Sequence, residues 1–152
     1  MFRQNLFPRL WRLPRSDKLL LVEALFAVLG AWAIIRFMPF RRAIRLSSLR
    51  LTPRRSEARQ VRRVCWSVDA VGERVPWRAV CIERGIAAQY MLRRRGFDAR
   101  LHYGLGFSDS RDLQAHVWVC VGADIVMGAG PVSDYKCVAV FPETELRPSA
   151  RR

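Results

Sequence analysis

Successive patterns of apolar residues divide the chain into helical and extended parts. Residues 19–35 are almost continuously apolar, interrupted by one glutamate and one glycine, which predicts a helix buried on most of its sides. A second helix is predicted to begin at Ser56, because apolar residues then recur every three or four positions. The same spacing predicts a third helix over residues 79–95.

After residue 96 the apolar positions alternate with polar ones, which is typical of strands. This alternation predicts four short strands, joined in part by a tight turn at Gly122-Ala123, over residues 97–104, 115–121, 124–127 and 135–141. Helices followed by an antiparallel meander define an α+β fold. We divide the chain into a basic N-terminal arm with the apolar helix, residues 1–55, and a folded domain, residues 56–152.

The apolar stretch at residues 19–35 also raises the question of a membrane. Its length is at the lower limit for a membrane-spanning helix, and Glu23 within it would be costly in lipid. Arginines flank both ends, and Trp and Phe border the run, as in segments that lie at a membrane interface. We expect a helix buried in the protein, with association to a membrane surface as the alternative.

Positive charge is concentrated in the first part of the chain. The formal net charge is +14; residues 1–63 contain 15 Arg or Lys against 3 acidic residues, and residues 64–152 contain 12 against 10. A non-enzymatic adaptor that binds membrane or nucleic acid through residues 1–63 is therefore an alternative function. The segment contains no known DNA-reading motif, and we expect no nucleic-acid partner.

The four cysteines are too few for a disulfide scaffold and are not spaced as metal ligands. We therefore expect free thiols in a reducing cytoplasm and no metal site. Cys65 lies on the apolar stripe of the second helix, and Cys120 and Cys137 fall in strand patterns. We interpret these three cysteines as packing residues.

Cys81 is the residue whose position points most directly to chemistry. It follows a Pro-Trp loop in the first turn of the third predicted helix, where the positive end of the helix dipole lowers the pKa of a thiol. Downstream, alternation places His116, Trp118 and Cys120 on one face of a strand and valines on the other. We expect the Cys81 helix to approach the face of His116 and Trp118, with Cys81 as nucleophile and His116 as base.

Two segments around these residues resemble a known family. CIERGIAAQYMLRRRGFDARLHYG, which starts at Cys81, and AHVWVCVGADIVMGAG, which contains His116, resemble the lasso peptide leader peptidases, the B proteins of lasso peptide biosynthesis. The N-terminal stretch LPRSDKLLLVEALFAVLGAWAIIRFMPFRR resembles their helical lead-in. The resemblance implies a transglutaminase-like, papain-like cysteine protease core in which the nucleophile helix packs on an antiparallel sheet. It also implies that Cys81 and His116 are the nucleophile and the base.

The third member of the family's Cys-His-Asp triad has no clear counterpart. Many relatives have an acid about twelve residues after the histidine, where this chain has Gly128. A two-residue turn would place Asp124 about 16 Å along the strand from His116, so Asp134 in the next loop is our candidate. An imidazole oriented by a backbone carbonyl is an equal alternative. Trp77, before Cys81, and Trp118 are candidate substrate-binding residues.

The resemblance also implies a biochemical setting. In the family, the peptidase removes the leader from a ribosomally made precursor, which a separate ATP-dependent cyclase then closes into a threaded ring. This chain has no strand-rich segment before residue 56, so we expect the leader-recognition domain as a separate protein. We expect no cofactor, with any ATP dependence entering through the partner complex. Acyl transfer to an amine, as in transglutaminases, is an alternative because it uses the same thioester.

Overall fold

The computed structural model describes residues 13–39, 57–77, 79–107, 112–130 and 132–142. In these residues three helices precede a four-stranded antiparallel sheet, and the predicted α+β class is confirmed. The helices are α1 (Arg15–Phe37), α2 (Ala58–Gly72) and α3 (Cys81–Arg94). The strands are β1 (Ala99–Phe107), β2 (Leu113–Val121), β3 (Asp124–Met127) and β4 (Lys136–Phe141), with a short 3-10 helix at Val132–Asp134 before β4.

The predicted starting point of the second helix at Ser56 and the division between residues 55 and 56 lie outside the described residues. The described part of that helix begins at Ala58, and its predicted apolar stripe is buried. Cys65 lies on this stripe, and burial raises the pKa of its thiol to about 12, in agreement with the predicted packing role.

The sheet has the order β3-β2-β1-β4. Val121 pairs with Asp124 across the predicted two-residue turn, where Gly122 adopts a φ of 63° that suits glycine. Trp118 pairs with His102, and Val119 pairs with Leu101. Directly paired residues share a face, so Trp118 and His102 lie on one face of the sheet and Val119 and Leu101 on the other.

The helices cover one face of the sheet. Val117, Val119 and Leu101 belong to the hydrophobic core together with Ile86 and Met91 of α3. α3 approaches the sheet closely at Gly85, where an added Cβ would stand 2.7 Å from Val117 Cγ1. A glycine at this position therefore allows the helix backbone to approach the sheet closely.

The expectation that α1 is buried on most of its sides is wrong. Its buried residues form one narrow stripe, Leu20, Ala24, Val28 and Ala31, which packs against α2 and α3. A 23-residue helix at the edge of a small protein has too few neighbours to be covered on every side. The remaining apolar side chains of α1 are half-buried or exposed.

An ion pair locks α1 to the end of α3. The guanidinium of Arg95, the C-cap residue of α3, donates to both carboxylate oxygens of Glu23 at 2.9 and 2.6 Å. This hydrogen-bonded guanidinium is the main reason why the pKa of Glu23 lies below its usual value. The pair explains why the apolar run of α1 contains a carboxylate.

Candidate active site

Cys81 is the first residue of α3. The preceding residue, Val80, is extended and serves as the N-cap, so the thiol stands where the unpaired N–H groups of the first turn and the helix dipole favour a negative charge. The thiol is free and half-buried against the core. This position agrees with the predicted start of the nucleophile helix, within two residues.

Glu83 occupies the same helical turn as Cys81. Its Oε2 accepts a hydrogen bond from the backbone N–H of Val80 at 3.2 Å, and the side chain is buried. Burial raises the pKa of the Glu83 carboxyl, while the Val80 N–H and the nearby Trp77 indole act in the opposite direction. The Trp77 indole N–H is close enough to influence the carboxyl but does not meet hydrogen-bond geometry.

His116 lies on β2 and is held by a backbone carbonyl. Its Nε2 is 2.9 Å from Gly128 O, and because a carbonyl can only accept, Nε2 carries the proton. This tautomer leaves Nδ1 of the neutral imidazole free to accept a proton. The ring also packs against Tyr135, with centroids 5.1 Å apart.

Gly128 occupies the position where the resemblance expected an acid. It has a φ of 74°, and an added Cβ would stand 2.6 Å from Val117 O. A side chain is therefore excluded at this position by both backbone conformation and space. The main chain of Gly128 supplies the hydrogen-bond acceptor that a carboxylate would supply.

The prediction that the Cys81 helix packs on the face of His116 and Trp118 is wrong. α3 covers the Val117 and Val119 side, whereas His116 and Trp118 lie on the opposite face. Alternation correctly groups these residues but cannot say which group the helix covers; the aliphatic valines provide the better packing surface. Within the described residues, no hydrogen bond joins the imidazole of His116 to the Cys81 thiol.

The structure does not bring Asp134 to His116. The Asp134 carboxylate is exposed and accepts a hydrogen bond from Ser133 Oγ at 3.1 Å, whereas Nε2 of His116 is engaged by Gly128. Of the two alternatives left open by the sequence, the carbonyl-oriented imidazole is the arrangement present in the structure.

The two tryptophans proposed for substrate binding have different environments. Trp118 is 5% exposed and stacks against His102, so it is covered by neighbouring residues rather than presented to a ligand. Trp77 is half-buried, packs against Trp32 with ring centroids 5.4 Å apart, and forms one wall of an apolar cavity of about 760 Å³ between α1 and α2. Only Trp77 of the two lines a space that a peptide side chain could enter.

The sequence did not predict a contact between Cys137 and His102. Cys137 is exposed rather than packed in the core, which corrects its predicted role, and its Sγ lies 3.7 Å from His102 Nδ1. His102 is half-buried against Trp118, and burial lowers the pKa of its imidazole. Alternation along β1 and β4 could not predict this contact, because it depends on the pairing of two strands that are distant in sequence.

Two further observations concern metals and membranes. In the part of the chain that the structure describes, no three His, Cys, Asp or Glu side chains are grouped as metal ligands. Among the same residues, α1 is long and apolar enough to cross a membrane, although it also packs against the protein core.

Comparison with known proteins identifies the class. Residues 24–140 match the family model of the transglutaminase-like superfamily, and the chain belongs to this superfamily. Members are typically cysteine-dependent enzymes. No curated protein and no solved structure matches the chain. The matched region begins within α1 and includes Cys81 and His116.

Proposed function

We propose that this chain is a cysteine peptidase that removes the leader from a ribosomally made lasso peptide precursor. The observation that carries the proposal is the position of Cys81 as the first residue of α3 in a member of the transglutaminase-like superfamily. The finer assignment to leader removal rests on the resemblance of the segments around Cys81 and His116 to lasso peptide B proteins.

In the proposed reaction the Cys81 thiolate attacks the carbonyl carbon of the bond between leader and core. The C–N bond breaks, the imidazolium of His116 protonates the leaving amine, and the leader remains on Cys81 as a thioester. Water then attacks the thioester and releases the acid and the thiol. Backbone N–H groups in the first turn of α3 stabilise the oxyanion.

The proposal assigns orientation of the base to the Gly128 carbonyl rather than to a carboxylate. The proton on Nε2 is held by Gly128 O, which leaves Nδ1 for the thiol proton. α3 packs on the face of β2 opposite to His116, so the proposed reaction requires the start of α3 or the β2–β3 hairpin to move when substrate binds and to bring the thiol to Nδ1. Catalytic contacts are often long in the absence of substrate.

The proposed setting is a reducing cytoplasm, with no cofactor on this chain. The partners are the precursor leader, a separate leader-recognition protein and an ATP-dependent lasso cyclase. The unequal distribution of charge supports docking of an acidic partner on residues 1–63.

The test is processing of a cognate precursor by the purified chain with its recognition partner, followed by mass spectrometry. Cys81→Ala and His116→Ala should each reduce leader removal by at least about 10³-fold, as expected when a nucleophile or its base is lost. Cys137→Ser is the matched control, because it removes a different thiol, which is exposed and contacts His102, and it should leave the rate unchanged.

Processing by the Cys81→Ala variant at the wild-type rate would refute the nucleophile. Addition of a primary amine to the same assay distinguishes hydrolysis from acyl transfer to an amine. Conversion of the leader carboxyl to an amide would favour acyl transfer, as in transglutaminases, because hydrolysis and aminolysis share the thioester.

A further inference from the structure

The outward side of α1 is apolar over the length of the helix. We define the outer face of α1 as the side chains opposite its buried stripe, Leu19, Val22, Phe26, Ala33 and Phe37, which recur at helical spacing. Leu19 is 71% exposed and Phe26 is 68% exposed. Large apolar side chains aligned in this way on a protein surface mark a site of interaction.

No charged side chain interrupts this face between Leu19 and Ile35. The one ionisable residue in that stretch is Glu23, and its carboxylate is held by Arg95 of the C-cap of α3. The outer face therefore offers no side-chain donor or acceptor with which a protein partner could form specific hydrogen bonds. The acyl chains of a lipid require none.

The packing of α1 decides how it can meet a membrane. Leu20, Ala24 and Val28 are part of the hydrophobic core, and Glu23 is bound to Arg95. Crossing a bilayer would remove these side chains from the core and place a carboxylate in hydrocarbon. The helix can instead lie along the surface with its outer face inserted at the headgroup boundary, as interfacial helices do.

Arginines flank both ends of the helix in the sequence. Arg15 and Arg36 are exposed at its two ends. The adjoining residues 1–12 and 40–56 contain nine arginines and no acidic residue. A lipid surface that matches this charge is anionic, because basic residues beside an interfacial helix gain about 1 kcal/mol each from anionic headgroups.

We propose that the chain docks on an anionic lipid bilayer through the outer face of α1. The apolar side chains enter the headgroup boundary, and Arg15 and Arg36 contact lipid phosphates. This assignment is independent of the peptidase activity, since the outer face of α1 contains neither Cys81 nor His116.

The test uses the full chain and sedimentation with vesicles of phosphatidylcholine alone or mixed with phosphatidylglycerol. Wild-type protein should sediment with the mixed vesicles, and Leu19→Gln/Phe26→Gln should weaken this binding by at least about tenfold, since two apolar side chains are lost from the interface. Phe107→Gln/Leu113→Gln is the matched control. These residues pair at the end of the β1–β2 hairpin, are 73% and 64% exposed, and should not affect binding.

Three outcomes would overturn the proposal. They are absence of binding to mixed vesicles, an equal loss in both double variants, and unchanged binding by Leu19→Gln/Phe26→Gln, which would assign the binding to the arginines alone. Light scattering measures the oligomeric state of the same proteins. If the wild-type protein is a dimer that does not bind vesicles, and Leu19→Gln/Phe26→Gln is a monomer, the outer face of α1 binds a second copy of the chain instead of lipid. Thermal melts of both variants should match wild type, because all four side chains are exposed.

Discussion

The Glu83 carboxylate and the Cys81 thiolate compete for the same positive helix terminus. Glu83 lies two residues after Cys81, and its Oε2 is already bound to the Val80 N–H. A negative charge in the first turn of a helix disfavours a thiolate there, whereas the helix dipole favours one. The reactivity of Cys81 is therefore set by a balance that one substitution can change.

Glu83→Gln should make Cys81 more reactive. The amide oxygen can keep the hydrogen bond from Val80, and the loss of charge should increase the rate of alkylation by iodoacetamide about threefold to tenfold at neutral pH. The measurement belongs in a Cys137→Ser background, because Cys137 is exposed, whereas burial raises the pKa of Cys65 to about 12. An unchanged or slower rate would contradict the proposed competition.

A stability measurement checks that this substitution leaves the helix intact. Burial raises the pKa of Glu83 above its unfolded value, so its ionised form costs stability at neutral pH. That cost fades as the pH falls through the raised pKa, where the folded state takes up the proton. Glu83→Gln should therefore not lower the melting temperature at neutral pH.

At the scale of elements, the contact between α3 and β2 depends on a missing side chain. Gly85 faces Val117, and an added Cβ would also stand 3.3 Å from Leu101 Cδ1. The two neighbours are buried in the core and have little room to move. This contact also sets the position of the helix that begins at Cys81.

Gly85→Ala should destabilise the protein by about 1–3 kcal/mol through overpacking, measured by urea unfolding. Gly30→Ala is the matched control, since Gly30 lies within α1 and an added Cβ would have nothing within 4 Å. It should stabilise the protein by up to about 1 kcal/mol because alanine favours a helix. Val117→Ala should partly rescue Gly85→Ala; additive losses in the double variant would locate the strain elsewhere.

Most of the helices and strands could be predicted from the sequence, because they follow the local periodicity of apolar residues. The β2–β3 turn and the pairing of Val121 with Asp124 followed from Gly122-Ala123, whereas the register shift between Val119 and Cys120 did not. The face of β2 that α3 covers could not be predicted, since alternation groups Val117 with Val119 without locating the helix. The acceptor for His116 was anticipated as one alternative, but only the hairpin geometry brings the Gly128 carbonyl to Nε2.

At the scale of the whole molecule, α1 and the sheet share one hydrophobic core. The core includes Ala24 and Val28 of α1 together with Leu101 and Val119 of the sheet. The Glu23–Arg95 pair joins residues 72 positions apart, so no local sequence pattern predicts it. We therefore expect α1 to unfold together with the sheet in one cooperative transition.

The pH dependence of stability tests whether α1 is held in this way. The pKa of Glu23 lies below its unfolded value of about 4.5, mainly through the Arg95 hydrogen bond. The contribution of the pair to stability is therefore present above that pH and is lost as the pH falls through the folded pKa.

Glu23→Gln should cost about 1–2 kcal/mol in urea unfolding at pH near 7, after allowance for solvent screening of a half-buried pair. The deficit should shrink progressively below about pH 4.5. Asp98→Asn removes the charge of an exposed carboxylate that pairs with Arg93 and Arg100, and it should change stability by less than about 0.5 kcal/mol. A Glu23→Gln deficit that does not vary with pH would show that the carboxylate's charge does not hold α1 on α3.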